Sequence, residues 1–358
     1  MRESDFPFFD DEDETPSEEQ RPARSDNGSV TFERRTKRKT RRALLIALAS
    51  VLVVVLAIGG VIGYYFSRVD GALGKVEQAD LMPLPYEGQP EVTKTPAVNV
   101  LVVGADKNDN GSDGRSDVLM VAHISGDRNS VYLVSFPRDL WVDVPANQYH
   151  GGGKAKINAA YSWGRTPMAV QTVEQLTQVG IDHTAEINFG GFMGLTEHLG
   201  GVTVNNKHAS TVREYTYPKG EITIQGEEAL AYVRQRYGLP NGDLDRAERQ
   251  RAVLVAIFNK SVQPETLGNP AKFGELIDVA ATSVTVDRTL PSSEVKGLVY
   301  GLKIRERSQI HSLQAPITGF GRSSDGQSIA LVDEVGMAEL STALREDKMA
   351  EYVAKHPS

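Results

Sequence analysis

The chain of 358 residues contains no cysteine. Disulfides, thiolate metal sites and cysteine nucleophiles are therefore excluded, and the absence accords with an extracytoplasmic bacterial domain. Basic residues are not in excess. The formal net charge is −8, so nothing points to nucleic acid as a partner. The seven histidines show no metal-ligand spacing. There is no GxSxG elbow and no Walker loop, so hydrolase and NTPase readings lack their signatures. No segment repeats elsewhere in the chain.

What is present begins with charge asymmetry. Residues 1–20 are strongly acidic, with DDEDE at 10–14, whereas 33–42 read ERRTKRKTRR. Neither stretch has an apolar period, so 1–42 reads as a disordered tail. Residues 43–66, ALLIALASVLVVVLAIGGVIGYYF, carry no charge and are long enough to cross a bilayer as one helix. The basic block precedes this run, and only Arg68 and Lys75 follow closely. The positive-inside rule then places the tail in the cytoplasm and the large C-terminal part outside a cell membrane crossed once. A cleaved signal peptide is the competing reading. The length of the run, the long preceding tail and the lack of a good small-x-small cleavage site argue against it. Residues 67–97, rich in Pro, Gly and Glu, read as a linker, and 98–358 as the extracytoplasmic domain.

Within that domain, apolar runs and alternation predict strands at 99–103, 118–124, 130–136, 185–189, 201–205 and 221–224, with 309–313 and 328–331 extended. Helical spacing is predicted at 157–163, 167–179, 191–199, 227–236, from near Asp245 to 258, 271–283, 292–302 and 335–352. Strands alternating with helices argue an α/β fold, a mixed central sheet with helices on both faces.

The stretch 227–258 concentrates Arg234, Arg236, Arg246, Arg249, Arg251 and Gln250 between two apolar helical patterns. Arg246 and Gln250 are four apart and extend the apolar face of Val253, Leu254 and Ile257. A cation and an amide on such a face need a partner, and arginine forks suit phosphate oxygens. The stretch is a candidate anion clamp; surface ion pairs of little worth are the alternative. Arg234 and Arg236 are two apart, so both serve one site only if the helix loosens there.

The loop GADKNDNGSDGRSD, 104–117, leaves the first strand of the domain, where open α/β sheets place ligand sites. Asp106 and Asp117, with no histidine or thiol, suit a hard cation such as Mg²⁺. Asp106, Asn108, Asn110, Gly111 and Asp117 also fall at positions 1, 3, 5, 6 and 12 of an EF-hand loop. The motif wants Glu at the last position and a helix before the loop, whereas a strand pattern precedes it. A calcium loop of another kind, or a solvated turn, are the other readings. FPRD at 136–139 ends a strand with an arginine and an acid, read as a site pair or as a surface salt bridge. KAKIN at 154–158 follows a glycine run and starts a helix, where Lys156 and backbone N–H groups could hold an anion; a flexible loop is the alternative.

In order along 99–260, NVLVVGAD, GRSDVLMV, VSFPRDLWVDVP, KINAAY, INFGGFMGLTEHLGGVTV, GEEALAYVRQR and GDLDRAERQ resemble the LytR-CpsA-Psr family of cell-wall glycopolymer ligases. The resemblance implies a phosphotransferase that moves a glycopolymer from a polyprenyl pyrophosphate carrier to a peptidoglycan hydroxyl. It implies Mg²⁺ on Asp106 and Asp117, and pyrophosphate contacts from Arg115, Arg138, Lys156, Arg234, Arg236, Arg246 and Gln250. Of these, Arg115, Arg138, Arg246 and Gln250 are also expected to act in the chemistry. Asp139 is a supporting partner or candidate base, and either Asp243 or Asp245 is an acid of the same motif. The rival functions are a non-catalytic lipid-pyrophosphate-binding or regulatory module, and a polyprenyl-pyrophosphate pyrophosphatase.

Overall fold

Aliphatic and β-branched runs fit strands that are covered on both faces. Such runs form the middle of the sheet: β2 (Val98–Ala105), β3 (Ser116–Ile124) and β4 (Val131–Ser135). Leu101, Val103, Met120 and Val134 in them are fully buried. The structure, a computed structural model, describes residues 63–92, 94–105, 116–148, 150–304 and 306–357. Its seven-stranded sheet adds β1 (Glu77–Ala79), β7 (His183–Asn188), β12 (Val284–Asp287) and β13 (Ile310–Gln314), in the order β1-β12-β7-β2-β3-β4-β13. The pairs β1–β12, β7–β2 and β4–β13 are parallel, and the other three are antiparallel. The expected mixed sheet is observed.

Alternation along β2 sends successive side chains to opposite faces. Leu101 and Val103 meet α2 (Asn158–Thr177) and α9 (Glu334–Arg345) in one apolar cluster that includes Ala169, Val173, Leu340 and Leu344. Val102 and Gly104 face the other way, toward α3 (Phe189–His198), α4 (Gly226–Arg234) and α5 (Asp243–Ser261). Under α4 and α5 lies a second cluster with Val202, Ile224, Tyr232, Val253 and Ile257. Helices therefore cover both faces. Four two-stranded sheets complete the β-structure: β5 (Trp141–Val144) with β6 (Gly153–Lys156), β8 (Val202–Asn206) with β11 (Gly220–Ile224), β9 (Ser210–Val212) with β10 (Tyr215–Tyr217), and β14 (Ile317–Arg322) with β15 (Ser328–Val332). The remaining helices are α1 (63–73), α6 (Pro264–Leu267), α7 (Pro270–Ser283), α8 (Ser292–Gly301) and α10 (Met349–Lys355).

Several expectations change. The stretch 67–97 does not act only as a linker. It carries most of α1 and supplies β1, which is hydrogen-bonded to β12 at the sheet edge. The two helices expected at 157–163 and 167–179 are the halves of α2, separated by non-helical backbone at Gly164 and Arg165. The single helix expected at 335–352 is α9 and α10, broken at Asp347, whose φ is 56°. The Asp347 carboxylate accepts from Gly126 N at 3.0 Å and meets His123 Nε2 at 3.1 Å, which ties the break to the end of β3. Among the described residues no helix is long and apolar enough to cross a membrane. Residues 43–62 of the expected span, and the tail at 1–42, lie outside the described residues.

α3 and α7 approach closely at Gly191, where an added Cβ would stand 2.3 Å from Ser283 Cβ. Gly191→Ala is expected to cost about 1–3 kcal/mol through overpacking, read as a thermal midpoint several degrees lower. An unchanged midpoint would contradict this packing.

Candidate active site

The site forms where β4 ends. Phe136 N still bonds to Leu119 O at 2.9 Å, but Pro137 has no N–H to continue the ladder. The chain then turns, with Leu140 N on Pro137 O at 2.9 Å, and presents Arg138 and Asp139 beyond the strand. Asp139 Oδ1 lies 2.9 Å from Lys156 Nζ and 3.8 Å from Arg138 Nε. Arg138 Nε lies 3.5 Å from Asp243 Oδ1, which in turn lies 2.5 Å from Arg246 Nη2. A linked row results: Lys156, Asp139, Arg138, Asp243, Arg246. Their side chains are between 4% and 24% exposed, so solvent screens them only in part. Three cations face two carboxylates in this row, which leaves a positive surplus suited to an anion.

Lys156 differs from expectation. It ends strand β6 rather than beginning a helix, and α2 starts two residues later at Asn158. The glycine run makes the β5–β6 hairpin: Gly152 has φ +72°, and a Cβ there would stand 2.6 Å from Ala146 N. β6 then pairs Lys156 with Trp141, two residues past Asp139, which puts the ammonium beside that carboxylate.

The start of α5 separates the two candidate acids. The helix begins at Asp243, not Asp245, after Gly242 at φ 52°. Asp245 accepts from Asn241 N at 2.8 Å and from Asn241 Nδ2 at 3.1 Å, so it closes the entry turn. Asp243, in the same turn, joins the cation row. Further along α5, Gln250 is buried and donates to Val233 O at 3.2 Å, bridging to the end of α4. It also borders an apolar cavity of about 50 Å³ with Val102, Val118, Phe192 and Leu254.

Arg249 and Arg251 do not join the clamp. Arg249 is buried over the Tyr232 ring at 4.1 Å and donates to Gln235, Asn206 and Ser210 side chains at 2.8–3.0 Å. Arg251 donates to Ser312 Oγ at 2.8 Å and to Ser135 Oγ, and burial pushes its guanidinium down to about 10. Ser135 ends β4, three residues before Arg138, so Arg251 sets α5 against the strand that carries the site. Only a three-dimensional neighbour distinguishes these arginines from Arg246.

α4 ends at Arg234, and Gln235 leaves the helix with ψ 129°. The helix does loosen there, and both Arg234 and Arg236 line one open pocket of about 550 Å³ with Arg213, Glu227 and Tyr237. Arg236 donates to Tyr237 Oη at 2.7 Å.

Asp106 and Arg115 lie outside the described residues, as does the side chain of Asp117. Ala105, which Asp106 follows, is the ladder partner of Ser116, which Asp117 follows. The chain leaves β2 and enters β3 at this same end of the β2–β3 pair. A strand precedes and a strand follows the loop, so the helix–loop–helix of an EF-hand is ruled out. Among the described residues no group of three or more His, Asp or Glu side chains could hold a metal.

The family model for the LytR_cpsA_psr family matches residues 70–346. The chain belongs to this family. Among LytR_cpsA_psr relatives, it is 29% identical over 319 residues to the polyisoprenyl-teichoic acid–peptidoglycan teichoic acid transferase TagU of Bacillus subtilis, covering 87% of this chain and 98% of that protein. The same-named transferase of Oceanobacillus iheyensis is 32% identical over 274 residues, covering 72% and 81%. The crystal structure of B. subtilis TagV superposes with a TM-score of 0.60 at 28% identity, covering 72% of this chain and 98% of that one. TagT bound to LI-WTA gives a TM-score of 0.54 at 25% identity, covering 76% and 97%.

The link between the β4 end and α5 can be measured directly. A double-mutant cycle of Arg138→Ala and Asp243→Ala in urea unfolding is expected to show coupling of about 0.5–3 kcal/mol. Additive effects would show that the two side chains do not interact.

Proposed function

We propose that this protein is a membrane-anchored, Mg²⁺-dependent phosphotransferase that moves a glycopolymer from a polyprenyl pyrophosphate carrier to peptidoglycan. The observation that carries the reading is the row Lys156–Asp139–Arg138–Asp243–Arg246, a part-buried surplus of positive charge at the strand ends. It stands in a family whose relatives are named as teichoic acid transferases to peptidoglycan.

The chemistry follows from the charges. An acceptor hydroxyl oxygen attacks the phosphorus that carries the glycan, a new P–O bond forms, and the P–O bond to the bridging oxygen breaks. Polyprenyl phosphate leaves, and the hydroxyl proton passes to a base or to solvent. Such a transfer depends on holding the phosphoryl groups and neutralising charge on their oxygens more than on covalent help. Arg138, Arg246 and Lys156 are the cations that meet those oxygens. Asp243 aims both arginines, and Asp139, held 2.9 Å from Lys156, is fitted to orient that ammonium. Arg234 and Arg236, which line an open pocket where α4 ends, offer a further anion-binding surface.

Asp106 and Asp117, which directly follow the paired residues Ala105 and Ser116 in sequence, would hold Mg²⁺; two carboxylates with no softer donor fit a hard cation. When bound, the ion supplies further charge neutralisation on phosphate oxygens. The polyprenyl chain needs an apolar berth. The cavity beside Gln250 lies between sheet and helices, but its volume of about 50 Å³ is far below that of ligand pockets, typically about 300–1,000 Å³. Lipid entry at this cavity would therefore require α3 and α5 to part from the sheet. The uncharged run at 43–66, whose last residues belong to helix α1, places the domain next to this lipid substrate and raises its effective concentration.

The test uses the full chain in detergent with a polyprenyl-pyrophosphate-linked glycan and peptidoglycan, in Mg²⁺, Ca²⁺ or chelator. Mg²⁺-dependent transfer is expected, with Arg246→Ala reducing it by about 10²–10³ and Asp117→Asn abolishing the metal dependence. Lipid binding without transfer in any condition would favour the non-catalytic module. Release of the glycan phosphate with no acceptor product would favour the pyrophosphatase.

A further inference from the structure

The three helices α1, α7 and α8 share one order of residue types along their lengths. α7 lies beside α1 in the same direction. Tyr64 Oη donates to Pro270 O at 3.1 Å, Tyr65 packs on Phe273 with centroids 4.8 Å apart, and Lys75 Nζ reaches Asp278 Oδ1 at 2.9 Å. α8 runs the opposite way: Phe66 packs on Tyr300 at 4.6 Å, while Lys296 Nζ reaches Asp70 Oδ1 at 2.8 Å. The space between them is lined by Val69, Ala72, Ile277, Ala281 and Val295 around a cavity of about 230 Å³. One end of this three-helix group is therefore a cluster of aromatics from all three helices, with Arg68 donating to Tyr64 Oη at 3.3 Å at its inner side and the two Lys–Asp pairs further along. Phe66 to Asp70 is a rise of about 6 Å on a helix.

The described residues leave the aromatic end uncovered. Phe66 is 47% exposed, Tyr300 44% and Tyr64 37%, a grouping of large rings that isolated surface residues do not account for. Tyrosine and phenylalanine rings followed within one turn by charges is the ordering of a membrane–water interface. The chain supplies its own reason for a bilayer there, because the uncharged run at 43–62 leads directly into Tyr64.

We propose that Tyr64, Tyr65, Phe66, Phe273 and Tyr300 form an aromatic collar that seats in the headgroup region of the bilayer, so that α7 and α8, and not the anchor alone, contact lipid. This rests on the reading of 43–66 as a membrane anchor and goes beyond it. A single helix would leave the domain free to swivel, whereas a collar from three helices, joined to β12 through α7 and α8, fixes which side of the sheet faces the membrane.

The experiment places a reporter on α8. Full-length protein carrying Tyr300→Trp is reconstituted into vesicles of ordinary phospholipid or of phospholipid brominated near the carbonyl end of its acyl chains. Wild type, with its two native tryptophans, gives the background, and Phe320→Trp, on the hairpin beyond the β13 edge, is the exposed control. The added emission of Tyr300→Trp is expected to be mostly lost in brominated vesicles, while that of Phe320→Trp is retained. Phe66→Trp serves as the second reporter on the same collar and is expected to behave as Tyr300→Trp. Co-flotation with vesicles but no quenching beyond wild type at either collar position would overturn the collar and leave the anchor standing, whether water or a second copy of the chain covers the rings. A chain that does not co-float would overturn both.

Discussion

A guanidinium buried between a helix and two neighbouring strands sets the geometry on which the site depends. Arg251 of α5 donates to Ser135 at the end of β4 and to Ser312 of β13. An arginine in that position is costly to desolvate, and its tendency to lose its proton there, toward about 10, reflects that cost. What the arrangement provides is register. With Arg251 seated on β4, the first turn of α5 falls opposite the Pro137 turn, and Asp243 and Arg246 meet Arg138. Arg249 does the same on the other flank, joining α5 to α4 and to the hairpin strands behind it through Gln235, Asn206 and Ser210. One helix thus carries two kinds of arginine: Arg249 and Arg251, which hold the scaffold, and Arg246, which joins the charged row.

That division explains what could and could not be read in the sequence. The buried strands were legible because NVLVV and VYLVS carry their own signal, and the alternation of β8 and β11 matches their burial closely. Arg246 and Gln250 were legible as one helix face by their spacing of four. Arg249 and Arg251 were not, because the partners that turn them inward lie 43 and 116 residues away in sequence. The choice between Asp243 and Asp245 depended on where α5 begins, and a glycine with positive φ moved that start by two residues. β1 escaped because a strand of three residues in a Pro- and Gly-rich stretch is specified by backbone bonds to β12, not by its own side chains. Lys156 was found by type but misplaced by element, since a glycine run reads equally as a loop or as a hairpin turn.

The same scaffold organises both ends of the molecule. At one sheet edge α1, β1 and β12 bring the helices of the aromatic collar together. Near the other, the β4 end and the β5–β6 hairpin hold the cations. The opening in α4 at Gln235, which puts Arg234 and Arg236 on one pocket, lies between these regions in the chain. A long anionic lipid-linked substrate would engage several such elements at once, which favours a site assembled from strand ends, a hairpin and a helix start over one built on a single loop.

On the proposed reading, the row from Lys156 to Arg246 recognises two linked phosphates. Calorimetric titration of the full-length protein with geranyl pyrophosphate and with geranyl phosphate tests it most directly. The pyrophosphate is predicted to bind at least about tenfold more tightly, since each further hydrogen bond between a cation and a phosphate oxygen is worth roughly 1.5–3 kcal/mol. Arg138→Ala and Arg246→Ala are each predicted to erase that preference. Equal affinity for the two ligands, or a preference that survives both substitutions, would contradict the account.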